Sequence, residues 1–207
     1  MPGSISSLSL SLVLKLCVLC SFSTTLVAAI PFGPEVLLES GGGTIVGVHA
    51  LSGVDEYRGI PFAKPPIGPL RFKSPVPAVL PSSKGKYHAT RIKKSCPQID
   101  FSKGLGEHGF LGDEDCLYLD IYVPRRLHDS QEPLPVMIWL FGGAFVMGDG
   151  YEYGAYNPSE LVKNGNVIVV EPNYRVSAFG FLVAPALQRE SATQTAGNMG
   201  MMDQVAS

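Results

Sequence analysis

Residues 135–148 read PVMIWLFGGAFVMG, an apolar run that breaks into Gly142-Gly143-Ala144-Phe145. Small residues after a buried strand leave backbone N–H groups uncovered. Such a loop can hold the negative oxygen that develops when a nucleophile attacks an ester carbonyl. The plainer alternative is a glycine turn that serves packing alone. A nucleophilic serine for this chemistry usually sits in a Gly-x-Ser-x-Gly turn, and the 207 residues contain none. Metal-assisted chemistry has no support either. His49, His88, His108 and His128 show no ligand spacing with one another or with cysteine.

The elements that must position the loop follow from periodicity. Thr44 to Val48 and Val54 to Ile60 are β-rich runs around a Ser52-Gly53 turn, so a small antiparallel hairpin is expected. Residues 63–81 contain too many prolines for a helix or a central strand and read as an ordered wrap anchored by Ile67, Leu70 and Phe72. LYLDIYV at 117–123 is a strand. Residues 135–141 form a second, apolar enough to be covered on both faces in a complete sheet, with Trp139 in the core; in these residues alone it is expected to lack covering neighbours and to leave an aggregation-prone edge. A short helix spans 157–163, with Asn157 as cap and Pro158 in its first turn. NVIVV at 166–170 is a third strand, and a last helix begins near Asn198. Continuous apolar strands separated by a helix mark the beginning of an α/β sheet.

Charge and composition narrow the class. Sixteen basic and eighteen acidic side chains give a net charge of -2, with no basic stripe, so no nucleic-acid partner is expected. Apolar residues make up 45% of the chain, enough to bury a core. From Leu8 to Val27 the sequence is apolar and ends in Ala28-Ala29. This reads as a secretory signal peptide over 1–29, leaving 30–207 as the mature chain. Lys15 argues against the alternative, an uncleaved membrane anchor. Cys96 and Cys116 remain as an even pair in an exported chain and read as one disulfide, with two buried free thiols as the alternative.

Six motifs stand in one order. They are DEYRGIPFA at 55–63, PPIG at 65–68 with Arg71-Phe72, EDCLYLDIYVP at 114–124, GGAF at 142–145, NYRVSAFGF at 173–181, and GNMGMMDQ at 197–204. Together they resemble the N-terminal part of the type-B carboxylesterases, the family of cholinesterases and large fungal lipases. The resemblance implies a partial α/β-hydrolase fold, made of N-terminal antiparallel strands and the first strands of the central, mostly parallel sheet. It implies a Ser, Glu or Asp, His triad in the complete enzyme, a small-molecule or lipid ester substrate and no cofactor. It makes the N–H groups of Gly143 and Ala144 two of three oxyanion donors, with Gly142 supporting. Ala144 replaces a third glycine, as in some fungal lipases. It places Cys96 and Cys116 in the family's first disulfide loop, Arg71 with Glu114 in a buried salt bridge, and Arg175 with Asp203 in a second pair. Tyr151, Tyr153 and Tyr156 either border the substrate gorge or stand as exposed loop aromatics. Ser177 lies in the NYRVSAFGF motif and not in an elbow. The 207 residues are therefore expected to be truncated before the nucleophile elbow, secreted, and inactive alone, with no stable membrane anchor. A non-catalytic, cholinesterase-like adhesion relative is the second reading. A nucleotide-binding α/β protein is the third, and Gly41-Gly42-Gly43 fits it poorly, since it precedes a strand.

Overall fold

The computed structural model describes residues 33–37, 43–80, 85–100, 109–125, 132–151 and 155–207. The expected signal peptide lies outside the described residues, as do His108, His128 and Tyr153.

Three strands, β1 (Glu35–Leu37), β2 (Thr44–Val46) and β5 (Lys86–His88), form a small sheet in the order β1-β2-β5. A five-stranded sheet takes the order β3-β4-β8-β10-β9, from β3 (Val48–His49), β4 (Val54–Pro61), β8 (Tyr118–Pro124), β10 (Ile168–Pro172) and β9 (Val136–Ile138). A short hairpin joins β6 (Gln98–Asp100) to β7 (Gly109–Leu111). Among the described residues the α-helices are α1 (Ser159–Gly165), α2 (Ser177–Phe181), α3 (Pro185–Glu190) and α4 (Met199–Ala206).

The expected hairpin therefore divides. β3 and β4 pair across the Gly53 turn, whereas β2 turns away at Gly47 and pairs with β1 and β5. A Cβ on Gly47 would lie 2.6 Å from the Glu56 carbonyl, so only glycine fits at this branch point. In the larger sheet β4, β8 and β10 are antiparallel, and only β10 with β9 runs parallel. This is the junction between antiparallel N-terminal strands and a parallel sheet.

Both faces of β8 are used. Tyr122 packs with Val54, Val169 and Val162 of α1. Leu119, Ile121 and Val123 face the other way, against Ile45, Tyr57 and Ile60. The α1 helix starts two residues later than expected, with Pro158 and not Asn157 at its N-cap position; the Asn157 side chain accepts the Ser159 N–H at 2.9 Å just ahead of it. Glu160 in its first turn and Lys163 in its last complement the helix dipole.

β9 is the uncovered edge expected of these residues taken alone. It lies at the sheet edge, and Val136, Met137 and Ile138 are exposed instead of covered on both faces. Trp139, expected in the core, is 43% exposed and packs against Tyr156 at 5.3 Å, beside a groove of about 270 Å³ under α1. Apolar composition reports that a strand can be buried, and the number of neighbours beside it decides whether it is.

Candidate active site

The strand before the loop is pinned before the chain turns. The Trp139 N–H donates to the Val170 carbonyl at 2.8 Å. Phe141 is buried, stacks on Tyr174 at 4.1 Å, and accepts the Tyr174 hydroxyl at 2.6 Å. The backbone then enters the left-handed region for three residues running, with φ of 123° at Gly143, 55° at Ala144 and 61° at Phe145. Left-handed φ is uncommon for alanine and an outlier for phenylalanine, and strain of this kind gathers at functional sites. The surroundings hold it in place. The Ser177 N–H donates to the Phe145 carbonyl at 2.6 Å, and the Phe145 ring lies 5.0 Å from Phe181 of α2. Gly143 is required on two counts, its φ and its space: a Cβ there would lie 2.0 Å from the Met147 carbonyl oxygen.

The two amides face outward by the geometry of trans peptides. The Gly143 carbonyl turns inward and accepts the N–H of Val146 at 2.9 Å and of Met147 at 3.3 Å. In a planar trans peptide the N–H opposes the C=O, so the Ala144 N–H points out of the turn. The Gly142 carbonyl likewise faces Gly148, where an added Cβ would meet it at 2.7 Å, so the Gly143 N–H points away from that side. Gly143 and Ala144 are exposed, and among the described residues neither N–H donates a hydrogen bond.

The other residues singled out in the sequence fall around this loop. A disulfide joins Cys96 to Cys116, 20 positions apart, and packs in one cluster with Phe141, Tyr174 and Val176. Arg175 is 2% exposed and meets the fully buried Asp203 of α4 through Nε at 2.8 Å, Nη2 at 2.7 Å and its own backbone N–H at 3.0 Å. Gly180 and Gly200 permit this closeness, since a Cβ on either would meet the Arg175 carbonyl at 2.2 or 2.3 Å. Arg71 and Glu114 form a two-pronged pair at 2.6 Å on each arm. That pair is not buried as the resemblance implied: the Arg71 side chain is 45% exposed and that of Glu114 22%. The carboxylate of Glu114 raises the Arg71 pKa all the same, by hydrogen bonding first and charge second. Tyr156 packs on the disulfide cluster, while Tyr151 is half-buried near Asp149 and Asn173. His49 pairs with Asp55 at 2.7 Å across the β3–β4 hairpin. Among the described residues no cluster could hold a metal ion.

Two features escaped the sequence. Gln98, buried at 6% exposure, exchanges hydrogen bonds with both backbone groups of Gly148 at the end of the loop. Asp120 and Glu171 are direct cross-strand partners on the buried face of β8 and β10. Burial pushes Asp120 up to about 6, against the Gly59 N–H that it accepts at 2.6 Å. Burial, and then the charge of Asp120, push Glu171 up to about 8. Polar residues in an alternating strand carry no local mark of which face they take, so only the register reveals the pair.

A mixed sheet whose parallel edge strand runs into a left-handed glycine loop defines a partial α/β-hydrolase fold. The chain belongs to the Carboxylesterase family, whose profile matches residues 34–207. It is 37% identical over 180 residues to the fumonisin B1 esterase of Sphingopyxis macrogoltabida, a match covering 87% of this chain and 32% of that protein. It is 39% identical over 175 residues to human bile salt-activated lipase, covering 79% of this chain and 21% of the lipase. Among solved structures, a PNB esterase superposes with a TM-score of 0.67 at 36% identity, over 83% of this chain and 33% of that one. The chain thus spans about a third or less of the length of these relatives.

Proposed function

We propose that this chain supplies the oxyanion-binding part of a secreted carboxylic ester hydrolase. The observation that carries the reading is the pair of outward-facing amides at Gly143 and Ala144, unoccupied by internal hydrogen bonds among the described residues. A tetrahedral intermediate places a full negative charge on the former carbonyl oxygen. Donors already aimed at that point stabilise it without reorganising. The reaction is acyl transfer through a serine, which attacks the ester carbon while a histidine removes its proton. The 207 residues hold no elbow serine, so the chain alone does not turn over. The substrate is a small-molecule or lipid ester, and the chemistry needs no cofactor. Export is supported by the apolar leader and by the Cys96–Cys116 disulfide, which persists in oxidising compartments.

A chimera tests this. Residues 34–207 replace the matched part of the para-nitrobenzyl esterase of Bacillus subtilis, 38% identical over 156 residues. The chimera is expected to hydrolyse p-nitrophenyl butyrate and the 207-residue chain is not. A folded chimera without activity contradicts the proposal. So does hydrolysis by the chain alone that a serine-directed phosphonate abolishes.

A further inference from the structure

The donor loop is held at three points. Tyr174 holds its start at the Phe141 carbonyl, and Ser177 holds its crown at the Phe145 carbonyl. Gln98 holds its end. The Gly148 N–H donates to Gln98 Oε1 at 2.6 Å, and Gln98 Nε2 donates to the Gly148 carbonyl at 2.9 Å and to the Cys96 carbonyl at 3.0 Å. This reciprocal exchange is the pattern of an antiparallel strand pair, made here by one side chain.

The end of the loop is in contact with its start. Gly148 has a φ of 115°, and a Cβ on it would meet the Phe141 ring at 2.6 Å and the Gly142 carbonyl oxygen at 2.7 Å. The Gly142 carbonyl and the Gly143 N–H belong to one rigid peptide plane. Displacing Gly148 therefore rotates the plane that aims the Gly143 amide. Gln98 is in turn two residues from Cys96, whose disulfide packs against Phe141 in the same core cluster.

We propose that Gln98 is a positioning residue for the Gly143 amide, and that the Cys96–Cys116 disulfide anchors it. Its meaning for catalysis rests on the proposed function, but the contact chain does not. Losing Gln98 or the disulfide releases Gly148, and the Gly143 amide loses its fixed direction.

The test is NMR of the uniformly 15N-labelled, oxidised chain. Gln98→Met keeps length and removes all three hydrogen bonds. It is expected to displace the Gly143 amide resonance and to speed Gly148 amide exchange more than tenfold, roughly the effect of losing one well-made buried bond. The Trp139 and Asn173 amides, paired in the sheet, keep their protection and report that the fold persists. Gln98→Glu sets a carboxylate against two carbonyls; on acidification its O–H regains one donor, and the Gly143 resonance returns toward its wild-type position. Dithiothreitol delivers two electrons to the disulfide, leaving two cysteine thiols and its own cyclic disulfide. It is expected to move the Gly143 resonance of the wild type and to add little in Gln98→Met. An unmoved Gly143 resonance in folded Gln98→Met overturns the proposal. If Gln98→Met unfolds, a Gly143 resonance in Gln98→Glu that ignores protonation overturns it. Equal and independent shifts from reduction and from Gln98→Met overturn the anchoring by the disulfide. None of these readouts involves ester turnover, so their failure is separate from failure of the chimera.

Discussion

At the scale of residues, the two arginine–carboxylate pairs separate what a motif encodes from what packing adds. Asp203 is fully buried and satisfies three donors of Arg175, so Asp203→Ala strands a buried guanidinium. That change is expected to cost about 3–5 kcal/mol in urea unfolding. Glu114→Gln, opposite a half-exposed Arg71, is expected to move the midpoint far less, and equal losses from both would contradict the burial described here. Both pairs were legible in the sequence through the resemblance, as was the Cys96–Cys116 bridge. The burial of one and not the other was not legible, because it depends on what packs around each pair. Gln98 went unread for a similar reason: a single glutamine after a Cys-Pro step has nothing to mark it until Gly148 is placed beside it. Gly143→Ala forces a methyl to within 2.0 Å of the Met147 carbonyl, at a φ of 123° that alanine resists. It is expected to lower the melting temperature by several degrees, whereas Gly142→Ala, with open space around its Cβ, leaves it near wild type.

At the scale of elements, β9 shows the limit of hydrophobic patterning. The run at 135–141 is legible as a strand that a complete sheet would cover and that these residues alone leave as an edge, whereas Trp139, expected in the core, is exposed. An uncovered, apolar edge offers free backbone groups and greasy side chains to another molecule. Self-association of the chain at raised concentration follows, and Met137→Lys, at a position 47% exposed, is expected to suppress it. Light scattering against concentration checks this, and an unchanged aggregation onset would exonerate β9. The α2 helix escaped sequence reasoning because SAFGF is short and carries a glycine. It forms because Gly180 lets it turn tightly over the Arg175 carbonyl. The strands at 117–123 and 166–170, by contrast, were plain from their β-branched and aromatic runs and were found within two residues of their observed bounds.

At the scale of the molecule, the junction of an antiparallel and a parallel sheet stacks acids on one buried face. Asp120 and Glu171 lie beside the Glu56–Arg58 ion pair and the Tyr122 hydroxyl, with Asp149 nearby. Both bind protons more tightly folded than unfolded. Their contribution is therefore fully present below the ordinary carboxylate pKa and is lost as pH rises toward about 8. Thermal stability is expected to fall across that window, and Glu171→Gln to flatten the fall; an identical slope in the variant would exclude Glu171 as its source. The order of the six motifs made the fold class legible, whereas the register that brings these two acids together was not. Two backbone amides carry the proposed chemistry, and replacing one atom tests them. In the chimera with the para-nitrobenzyl esterase, Ala144 is replaced by lactic acid, which keeps the methyl and exchanges the N–H for an oxygen. A loss of roughly 10²–10³ in kcat is expected, with KM and melting temperature nearly unchanged. Undiminished kcat in that ester-linked protein would contradict it.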